Sequence, residues 1–375
     1  MITKKIAVIT LPGYYNYGNR LQAFAVHRIY EKLGYGSDFL VLRKRERLQT
    51  LVQWIKRLVG FPLEDPQKMS SPARLKAFLE FSRQIPERVV NSIAEIECDE
   101  YAWFSCGSDQ VWNPGIVSPG MGQGVLLDAY HKVVNPGRIS NLVEWYYLGF
   151  CPKDKRIALA PSIGLDELDG DRVLALKHGV ENFDKISIRE AKGRELILDC
   201  TGKTAEVICD PTLVLDADEW RSVARDAMTP KDSYVFTYLL GGVGSEAAEV
   251  LEQVTCHGDK PTVPLSDRQK SGEPDAGPAE FISLIDHADH VVTDSFHAAV
   301  FASILQTPLT IVHREGGASM FSRLEQLSQT LGIEHKVFGS PDFDFSRAGD
   351  YRGVPEAIGR ERDKFMSYLE SCLNA

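Results

Sequence analysis

The stretch that decides the fold is residues 6–11, with the sequence IAVITL, together with the loop and helix that follow it. An apolar run of this length predicts a buried strand. Apolar residues then recur at helical spacing between Leu21 and Leu33, and Gly34 provides a helix C-terminus. The pattern therefore predicts a strand, a polar loop over 12–20 and a helix, the opening of an α/β domain.

The same alternation continues along the chain. Strands are predicted at 39–42, 101–106, 156–160, 185–188 and 205–209. A second series follows, with strands at 233–239, 290–293 and 309–312 and helices over 215–227 and from residues 245 and 296. Such alternation favours parallel sheets with helices on both faces. We expect two doubly wound, Rossmann-like domains facing a cleft, an N-terminal one over 1–212 and a C-terminal one over 213–352, followed by a C-terminal helix over 353–375.

The composition is that of an ordinary globular protein. The chain has 375 residues, 43% of them apolar and 25% charged, which excludes a disordered or collagen-like chain. The net charge of −10 removes the broad positive field that non-specific nucleic-acid binding needs. The seven cysteines contain no C-x-x-C pair, so the sequence predicts neither a disulfide framework nor a zinc knuckle. No apolar run reaches the ~20 residues of a membrane span, and we expect a cytoplasmic protein.

In parallel sheets ligands bind beyond the carboxyl ends of the strands, so the residues that follow each strand are the candidate site residues. The loop after the first strand supplies four of them, Asn16, Tyr17, Asn19 and Arg20. Its glycines permit a tight turn, and the helix N-terminus can receive an anion. The loop is not a G-x-G-x-x-G fingerprint, so NAD binding is disfavoured. A capped turn without a ligand would explain the Gly and Asn residues but not the tyrosines and the arginine.

The segment GSDQVWN at 107–113 follows another buried strand. Asp109 or Gln110 could bind sugar hydroxyls, with Ser108 beside them and Trp112 as an apolar platform for a sugar ring. The alternative is an Asx-type turn with Trp112 in the core. The residue pattern does not choose between these two interpretations.

Two further strand ends carry ionisable candidates. Arg189 follows a strand and offers the fork geometry that suits a carboxylate or phosphate, although an exposed salt bridge would also explain it. His297 falls in the first turn of the helix that begins near residue 296, where it could act as a general acid or base. Asp294 or Ser295 would cap that helix, whose N–H groups could then bind an anion. No metal site is predicted, because the nearby His287 and His290 lie on different elements.

Taken in order along the chain, these segments resemble the polysaccharide pyruvyl transferase family. The matching segments are NYGNRLQA at 16–23, GSDQVWN at 107–113, KDKRIALAPS at 153–162, IRE at 188–190, CDPT at 209–212, TDSFH at 293–297 and SRL at 322–324. Together they run from about residue 6 to residue 332. The resemblance implies a two-domain fold like that of the GT-B glycosyltransferases. It also implies transfer of a pyruvyl group from phosphoenolpyruvate to a sugar, usually as a ketal across two hydroxyls.

The resemblance assigns roles to single residues. Arg189 would hold the donor's carboxylate or phosphate, and His297 would be the acid/base residue. Arg314, after the last strand, is the candidate for a basic residue that many members carry there. Members with Arg-Leu-His at 295–297 use that arginine for the donor, whereas this chain has Ser295-Phe296-His297, so Arg314 or another cation must substitute. Residues 119–147 look like an insertion.

The implied reaction needs no metal and no cofactor besides the donor. Its acceptor would be a sugar of a polysaccharide or glycoconjugate pathway. A basic amphipathic stretch over 43–59 could reach a lipid-linked acceptor at a membrane surface, but a surface helix packed on the core is the favoured interpretation. Two other functions stay open: a glycosyltransferase with a nucleotide-sugar donor on the same architecture, and a non-catalytic sugar-binding relative.

Overall fold

The computed structural model describes residues 4–13, 15–43, 70–117, 138–314 and 321–374. The amphipathic stretch predicted over 43–59 lies outside these residues except for Arg43. Most of the predicted insertion, residues 119–137, lies outside them as well.

The N-terminal half is a parallel sheet with the strand order β3-β2-β1-β4-β5. Its strands are β1 (Lys5–Ile9), β2 (Gly36–Leu42), β3 (Glu87–Val90), β4 (Trp103–Cys106) and β5 (Arg156–Ala158). A parallel bridge between Ala158 and Ile186 extends it to a small sheet of β6 (Ser187–Ile188) and β7 (Glu206–Val207). The helices of this half are α1 (Tyr17–Lys32), α2 (Pro72–Ser82), α3 (Pro114–Val117), α4 (Arg138–Tyr146), α5 (Gly170–Val180) and α6 (Ala191–Thr201).

The C-terminal half is a second parallel sheet with the order β11-β10-β8-β9. Its strands are β8 (Val235–Tyr238), β9 (Thr262–Leu265), β10 (His290–Thr293) and β11 (Leu309–Ile311). The helices that accompany it are α7 (Ala217–Val223), α8 (Ser245–Val254), α9 (Pro278–Asp286), α10 (Phe296–Leu305) and α11 (Ser322–Leu331). Strands β10 and β8 are buried along their whole length, as expected for a parallel sheet that helices cover on both faces.

The last helix, α12 (Val354–Leu373), contacts the N-terminal half. The hydroxyl of Tyr368 donates a hydrogen bond of 2.9 Å to the carbonyl of Ala158 at the end of β5. Cys209 contacts the same helix through the carbonyl of Glu361. The polypeptide therefore passes from one sheet to the other and back, and α12 helps to hold the two halves together.

One hydrophobic core runs through both halves. It joins residues of β1 and α1 to residues of α7, α9, α10 and α12. Tyr17 lies in this core: its ring stacks on Phe281 at 4.6 Å between centroids, and its hydroxyl donates to the carbonyl of Ala276. This position corrects the prediction that Tyr17 binds substrate, because its side chain is fully buried between the halves and has no surface open to a ligand.

The predicted fold class, α/β with two parallel doubly wound sheets, is confirmed. Strand β10 and the start of α10 lie where the sequence predicted them, whereas β3, β9 and α2 were not predicted. Strand β3 begins with two charged residues, Glu87 and Arg88, and β9 contains the exposed Thr262 and Pro264, so neither strand carries an apolar run. The predicted domain boundary near 210–216 falls between the two sheets and stays a prediction. None of the helices in the described part of the chain combines the length and apolar character needed to cross a membrane.

The shared core gives a test of how the two halves unfold. Trp220 on α7 is fully buried, contacts Phe24 of α1 and Phe301 of α10, and donates its indole N–H to the carbonyl of Thr212. We expect Trp220→Ala to lower the free energy of unfolding by about 3–5 kcal/mol, the usual cost of emptying a large core site. Urea unfolding followed by circular dichroism and fluorescence measures this loss.

Both probes should report one transition, because the core is continuous across the halves. The exposed Leu198→Ala on α6 serves as the control and should change the unfolding free energy by less than about 0.5 kcal/mol. Two separate transitions, with only one shifted by Trp220→Ala, would contradict a shared core.

Candidate active site

A cleft of about 540 Å³ lies between the two halves. Its walls come from residues that follow the carboxyl ends of β1, β4, β8, β9, β10 and β11. These residues include Pro12, Gly13, Asp109, Gln110, Leu240, Asp267, Asp294, Ser295 and Arg314. Because the carboxyl ends of both parallel sheets face the cleft, loops distant in the sequence meet there.

His297 stands at the centre of this arrangement. It lies in the first turn of α10, lines the cleft and keeps 14% of its side chain exposed. Its Nε2 lies 3.6 Å from Oδ2 of Asp210, and Nε2 has no hydrogen-bond partner in the structure. On the other side the ring rests on Gly18, where an added Cβ would come within 2.0 Å of Nδ1. The imidazole is therefore held between α1 of one half and Asp210.

Asp210 is a buried carboxylate that lies next to Arg189 and His297. Its Oδ2 accepts a hydrogen bond of 2.6 Å from Nη1 of Arg189, and its Oδ1 accepts from the backbone N–H and the hydroxyl of Thr212. Burial by itself would raise the pKa of this carboxyl group. The close approach of His297 and the charge of Arg189 outweigh burial and hold the pKa of Asp210 well below its usual range. Asp210 thus stays ionised and can orient an imidazolium.

Arg189 does not line the cleft. Its guanidinium lies over the ring of Phe296 at 5.1 Å and faces a smaller cavity of about 30 Å³ next to the cleft. One nitrogen is bound to Asp210, while Nε and Nη2 are buried and have no partner. Its backbone carbonyl accepts from Gln326 of α11, which ties the strand end to the C-terminal half. The alternative that Arg189 forms an exposed salt bridge is therefore wrong, because its ion pair with Asp210 is buried.

The C-terminal wall places a cation beside a helix N-terminus. Asp294 accepts hydrogen bonds from the backbone N–H groups of Leu240 and Gly241, at 2.6 and 2.8 Å. It also accepts from Nε of Arg314 at 3.2 Å, so that Asp294 orients this arginine at the cleft. Ser295 occupies the position before α10 and makes no side-chain capping bond. The predicted side-chain cap of α10 is therefore absent, and the side chains of Ser295 and Asp294 accept no hydrogen bond from the N–H groups of its first turn.

The N-terminal wall is a connected polar network. Asn16 caps α1 by accepting from the backbone N–H of Asn19. The amide of Asn19 donates to the carbonyl of Leu11 at 2.7 Å and to Oδ2 of Asp109 at 3.2 Å. Gln110 extends the wall, and its Oε1 accepts from Asn113. Amide and carboxylate groups arranged in this way suit the hydroxyl groups of a sugar.

Three predicted binding residues lie behind this wall, and their positions correct the predictions made for them. Trp112 is 1% exposed, stacks on Tyr147 and donates its indole N–H to the carbonyl of Tyr146, so it is a core residue and no sugar platform. Ser108 is fully buried and donates to the carbonyl of Ala160. Arg20 is buried against Glu87 and supports Asn19 from behind. Their polar atoms serve the backbone and the network, where a ligand does not reach them.

Two charged residues that were not predicted as site residues, Arg323 and Asp267, line the cleft. Arg323 begins α11 and faces both cavities, and its only sequence cue was the family segment SRL. Asp267 follows the unpredicted strand β9 and accepts a hydrogen bond from the hydroxyl of Tyr238. Burial raises the pKa of Asp267, against the effect of that hydrogen bond. No cue identified Asp267, because β9 has no apolar run. Among the described residues, no group of three or more His, Cys, Asp and Glu side chains is arranged to hold a metal ion.

Comparisons with known proteins agree with this architecture. The family model described as polysaccharide pyruvyl transferase matches residues 16–312, well over half of the chain. No curated protein matches the sequence.

Several solved structures match most of the chain at low sequence identity and with TM-scores below 0.5. An uncharacterised protein from Klebsiella pneumoniae is 13% identical over 85% of this chain and 88% of that one, with a TM-score of 0.40. The UDP-GlcNAc 2-epimerase of Methanocaldococcus jannaschii is 13% identical over 96% and 92%, with a TM-score of 0.39. The glycosyltransferase SnogD from Streptomyces nogalater is 12% identical over 99% and 98%, with a TM-score of 0.39.

The buried pair of Asp210 and Arg189 leads to a pH-dependent prediction. In Asp210→Asn, Oδ1 can still accept from Thr212, but an amide N–H₂ would face Nη1 of Arg189 in place of Oδ2. We expect this variant to lose about 3–5 kcal/mol of stability at pH 7, since one buried charge is left without its partner. Chemical unfolding at several pH values measures the loss.

The sign of the pH dependence follows from the lowered pKa of Asp210. Its contribution is complete above the ordinary carboxyl pKa of about 4 and is lost as the pH falls further. The stability difference between wild type and variant should therefore shrink below about pH 4. The exposed Asp218→Asn is the charge-matched control and should cost less than about 1 kcal/mol. A difference that does not change with pH would argue against an ionised Asp210.

Proposed function

The chain belongs to the polysaccharide pyruvyl transferase family, and from this premise we propose that it transfers the pyruvyl group of phosphoenolpyruvate to two hydroxyls of a sugar. The observation that carries the proposal is the position of His297. This histidine lies in the cleft next to the N-terminus of α10 and is backed by the buried carboxylate of Asp210. A histidine supported in this way can move protons, while the cations nearby hold an anionic donor.

The donor requires positive potential, which an acidic protein must concentrate locally. Phosphoenolpyruvate carries a carboxylate and a phosphate, and Arg314 and the N–H groups of the first turn of α10 lie on the same wall of the cleft. Helix N-termini and arginines both stabilise such anions. The opposite wall, with Asn16 and Gln110, would bind the hydroxyls of the acceptor, and Asn19, whose amide is already bonded to Leu11, Asp109 and Arg20, would hold that wall in place.

Ketal formation then needs two proton transfers, and His297 can serve in both. In the first half, a sugar hydroxyl attacks C2 of the donor, His297 takes the proton of that hydroxyl and passes it to C3, and the C2=C3 electron pair forms the new C3–H bond of a methyl group. In the second half, the C2–O bond to phosphate breaks and the phosphate leaves with the electron pair. The second hydroxyl then bonds to C2, and its proton passes through His297 to the phosphate. One diol and one donor thus give one ketal and one inorganic phosphate.

The proposal predicts the effect of removing His297. Phosphate release from phosphoenolpyruvate in the presence of sugar acceptors should fall by at least about a hundredfold in His297→Ala, the usual contribution of a general acid–base group. The melting temperature should stay within a few degrees of wild type, because the side chain lies at a cavity. The exposed His178→Ala is the control and should keep full activity.

Other outcomes of the same assay favour the other functions. Wild-type rates in His297→Ala would exclude the proposed role of His297. Protection of the wild type by a nucleoside diphosphate, without phosphate release from the donor, would favour a glycosyltransferase. If the assay shows neither phosphate release nor protection, a non-catalytic sugar-binding protein is favoured. Mass spectrometry for a gain of the pyruvyl mass identifies the acceptor.

A second prediction concerns Gly18, on which the imidazole rests. In Gly18→Ala the new methyl group would come within 2.0 Å of Nδ1 and 2.4 Å of Cε1, so the ring or the adjoining half must shift. We expect kcat to fall about a hundredfold, as it does when a catalytic group is displaced by about 1 Å, with little change in KM.

Gly359→Ala on α12 is the matched control, since its added methyl group meets no atom within 4 Å. It should keep full activity and gain up to about 1 kcal/mol in stability from the higher helix propensity of alanine. Full activity in Gly18→Ala would show that the position of His297 does not depend on this contact.

A further inference from the structure

Asp267 is a carboxyl group that lines the cleft and is only partly exposed. Its Oδ1 accepts a hydrogen bond from the hydroxyl of Tyr238, and no ion pair joins it to a cation in the described part of the chain. Tyr238 is itself buried and packs edge-on against Tyr17 and Phe281, so it holds the carboxyl group in one position. A largely buried carboxyl group without a cation is costly to the fold, which marks it as a candidate functional residue.

The end of β8 brings Asp267 close to Arg314. Tyr238 is the last residue of β8, and its hydroxyl binds Asp267 on the side of β9. On the side of β10, Asp294 accepts a hydrogen bond from the backbone N–H of Gly241, shortly after β8. Arg314 lies over Gly241, where an added Cβ would come within 2.4 Å of its Cγ, and donates to Asp294. The two carboxyl groups therefore flank the strand end on which Arg314 lies.

The surroundings of Asp267 favour its protonated form. Burial raises the pKa of Asp267, and the negative charge of Asp294 adds to this rise. The hydrogen bond from Tyr238 and the charges of Arg74 on α2 and Arg314 act in the opposite direction without cancelling it. These four side chains are the titratable and charged groups that face Asp267. The carboxyl group thus keeps its proton to a higher pH than an exposed aspartate does.

A phosphate bound at Arg314 would lie beside Asp267. In the proposed function, Arg314 and the N-terminus of α10 hold the phosphate of the donor. An ionised carboxylate next to that phosphate would repel it, whereas a protonated carboxyl group can donate a hydrogen bond to one of its oxygens. A carboxyl group that retains its proton therefore fits this wall of the cleft, and an ordinary aspartate does not.

The second half of the proposed reaction needs an acid at the phosphate. If the C2–O bond breaks without a proton, the phosphate leaves as a strongly basic trianion. A proton on the bridging oxygen lets it leave as hydrogen phosphate, which is a far better leaving group.

We propose that Asp267 is the general acid that protonates the bridging oxygen of the leaving phosphate, a role that rests on the proposed function for the identity of the donor. The proton passes from the carboxyl group to that oxygen, the C2–O bond breaks, and its electron pair stays on the departing hydrogen phosphate. The second hydroxyl bonds to C2 and gives its proton to His297. His297 then releases a proton to water and Asp267 takes one up, so one diol and one donor still give one ketal and one inorganic phosphate.

The first test is Asp267→Asn, which keeps an oxygen for the Tyr238 hydroxyl and removes the acid. For phosphate release from phosphoenolpyruvate with a sugar, kcat should fall at least about a hundredfold. KM for phosphoenolpyruvate should stay the same or fall, because a negative charge next to the anion is removed. The variant should melt at the wild-type temperature or above, since burial disfavours the charge it lacks. The exposed Asp259→Asn is the control and should keep both kinetic constants.

Tyr238→Phe gives a second test through the pH dependence of kcat, and it does not depend on the folding of Asp267→Asn. The wild-type kcat should fall as the pH rises through the raised pKa of Asp267, because the acid form is lost. The hydrogen bond from Tyr238 lowers that pKa, so its removal should move the fall to a higher pH. In Asp267→Asn this fall should be absent. A merely structural role of Asp267 would leave the alkaline side of the profile in place.

Inorganic sulfate tests the carboxyl group without turnover, because sulfate does not titrate between pH 5 and pH 8. In calorimetry at pH 8, Asp267→Asn should bind sulfate at least about threefold more tightly than the wild type, since a like charge is removed. The difference should narrow at pH 5, where Asp267 of the wild type gains its proton. Equal affinities at both pH values would show that Asp267 does not face the anion and would overturn the proposal.

The measurements also separate the general acid from the proposed function. An unchanged kcat in Asp267→Asn leaves the transferase in place and overturns the general acid. A higher KM for the sugar at unchanged kcat would make Asp267 a ligand of the acceptor, which also overturns it. If sulfate binding behaves as expected but no sugar gives phosphate release from phosphoenolpyruvate, the transferase proposal fails, whereas the proton-linked carboxyl group beside the anion stands.

Discussion

The buried carboxylate of Asp210 is the interaction on which the site depends. It lies between the two sheets, in the segment that leads from β7 to α7, and holds Arg189 of the N-terminal half directly. It also lies close to His297 of the C-terminal half. A single ionised group in a buried position can orient two side chains, Arg189 and His297, only when their geometry is fixed around it. The relative position of the halves and the orientation of the imidazole are therefore linked, because Gly18 of the N-terminal half contacts the imidazole of His297 on its other side.

The charges of the cleft bear on how an acidic protein would bind the anionic donor proposed for it. The net charge of −10 belongs to the chain as a whole, whereas three arginines meet at or next to the cleft. Each has different neighbours: Asp294 orients Arg314 and Asp210 orients Arg189, whereas Arg323 pairs with no acidic side chain among the residues that the structure describes. These arginines would offer charge-assisted hydrogen bonds to the proposed donor, while carboxylates of the same walls, such as Asp109 and Asp294, hold the surrounding groups in place.

The sequence predicted those elements correctly whose residues form a clear local apolar pattern, and it missed those without one. Strand β10 and the start of α10 were predicted correctly because a buried apolar run ends in polar residues and is followed by a continuous apolar helix. Strand β9 was missed because it contains the exposed Thr262 and Pro264 and carries no apolar run, and Asp267 at its end was missed with it. The sequence left open whether Trp112 is a platform for a sugar ring or a core residue. Only its packing on Tyr147 decided between the two, since the same Asx-type turn is compatible with either direction of the indole ring.

By itself the sequence determined the two parallel α/β sheets, the strand ends that carry Asp109, Asp294 and His297, and the family. These features follow from periodicity and from residue types at strand ends, which are local. The tertiary structure alone decided that Arg189 lies behind the cleft on Asp210, that Gly18 supports the imidazole, and that Arg323 is buried beside the cleft. Burial and pairing depend on which distant segments meet, and no local pattern of residues records that.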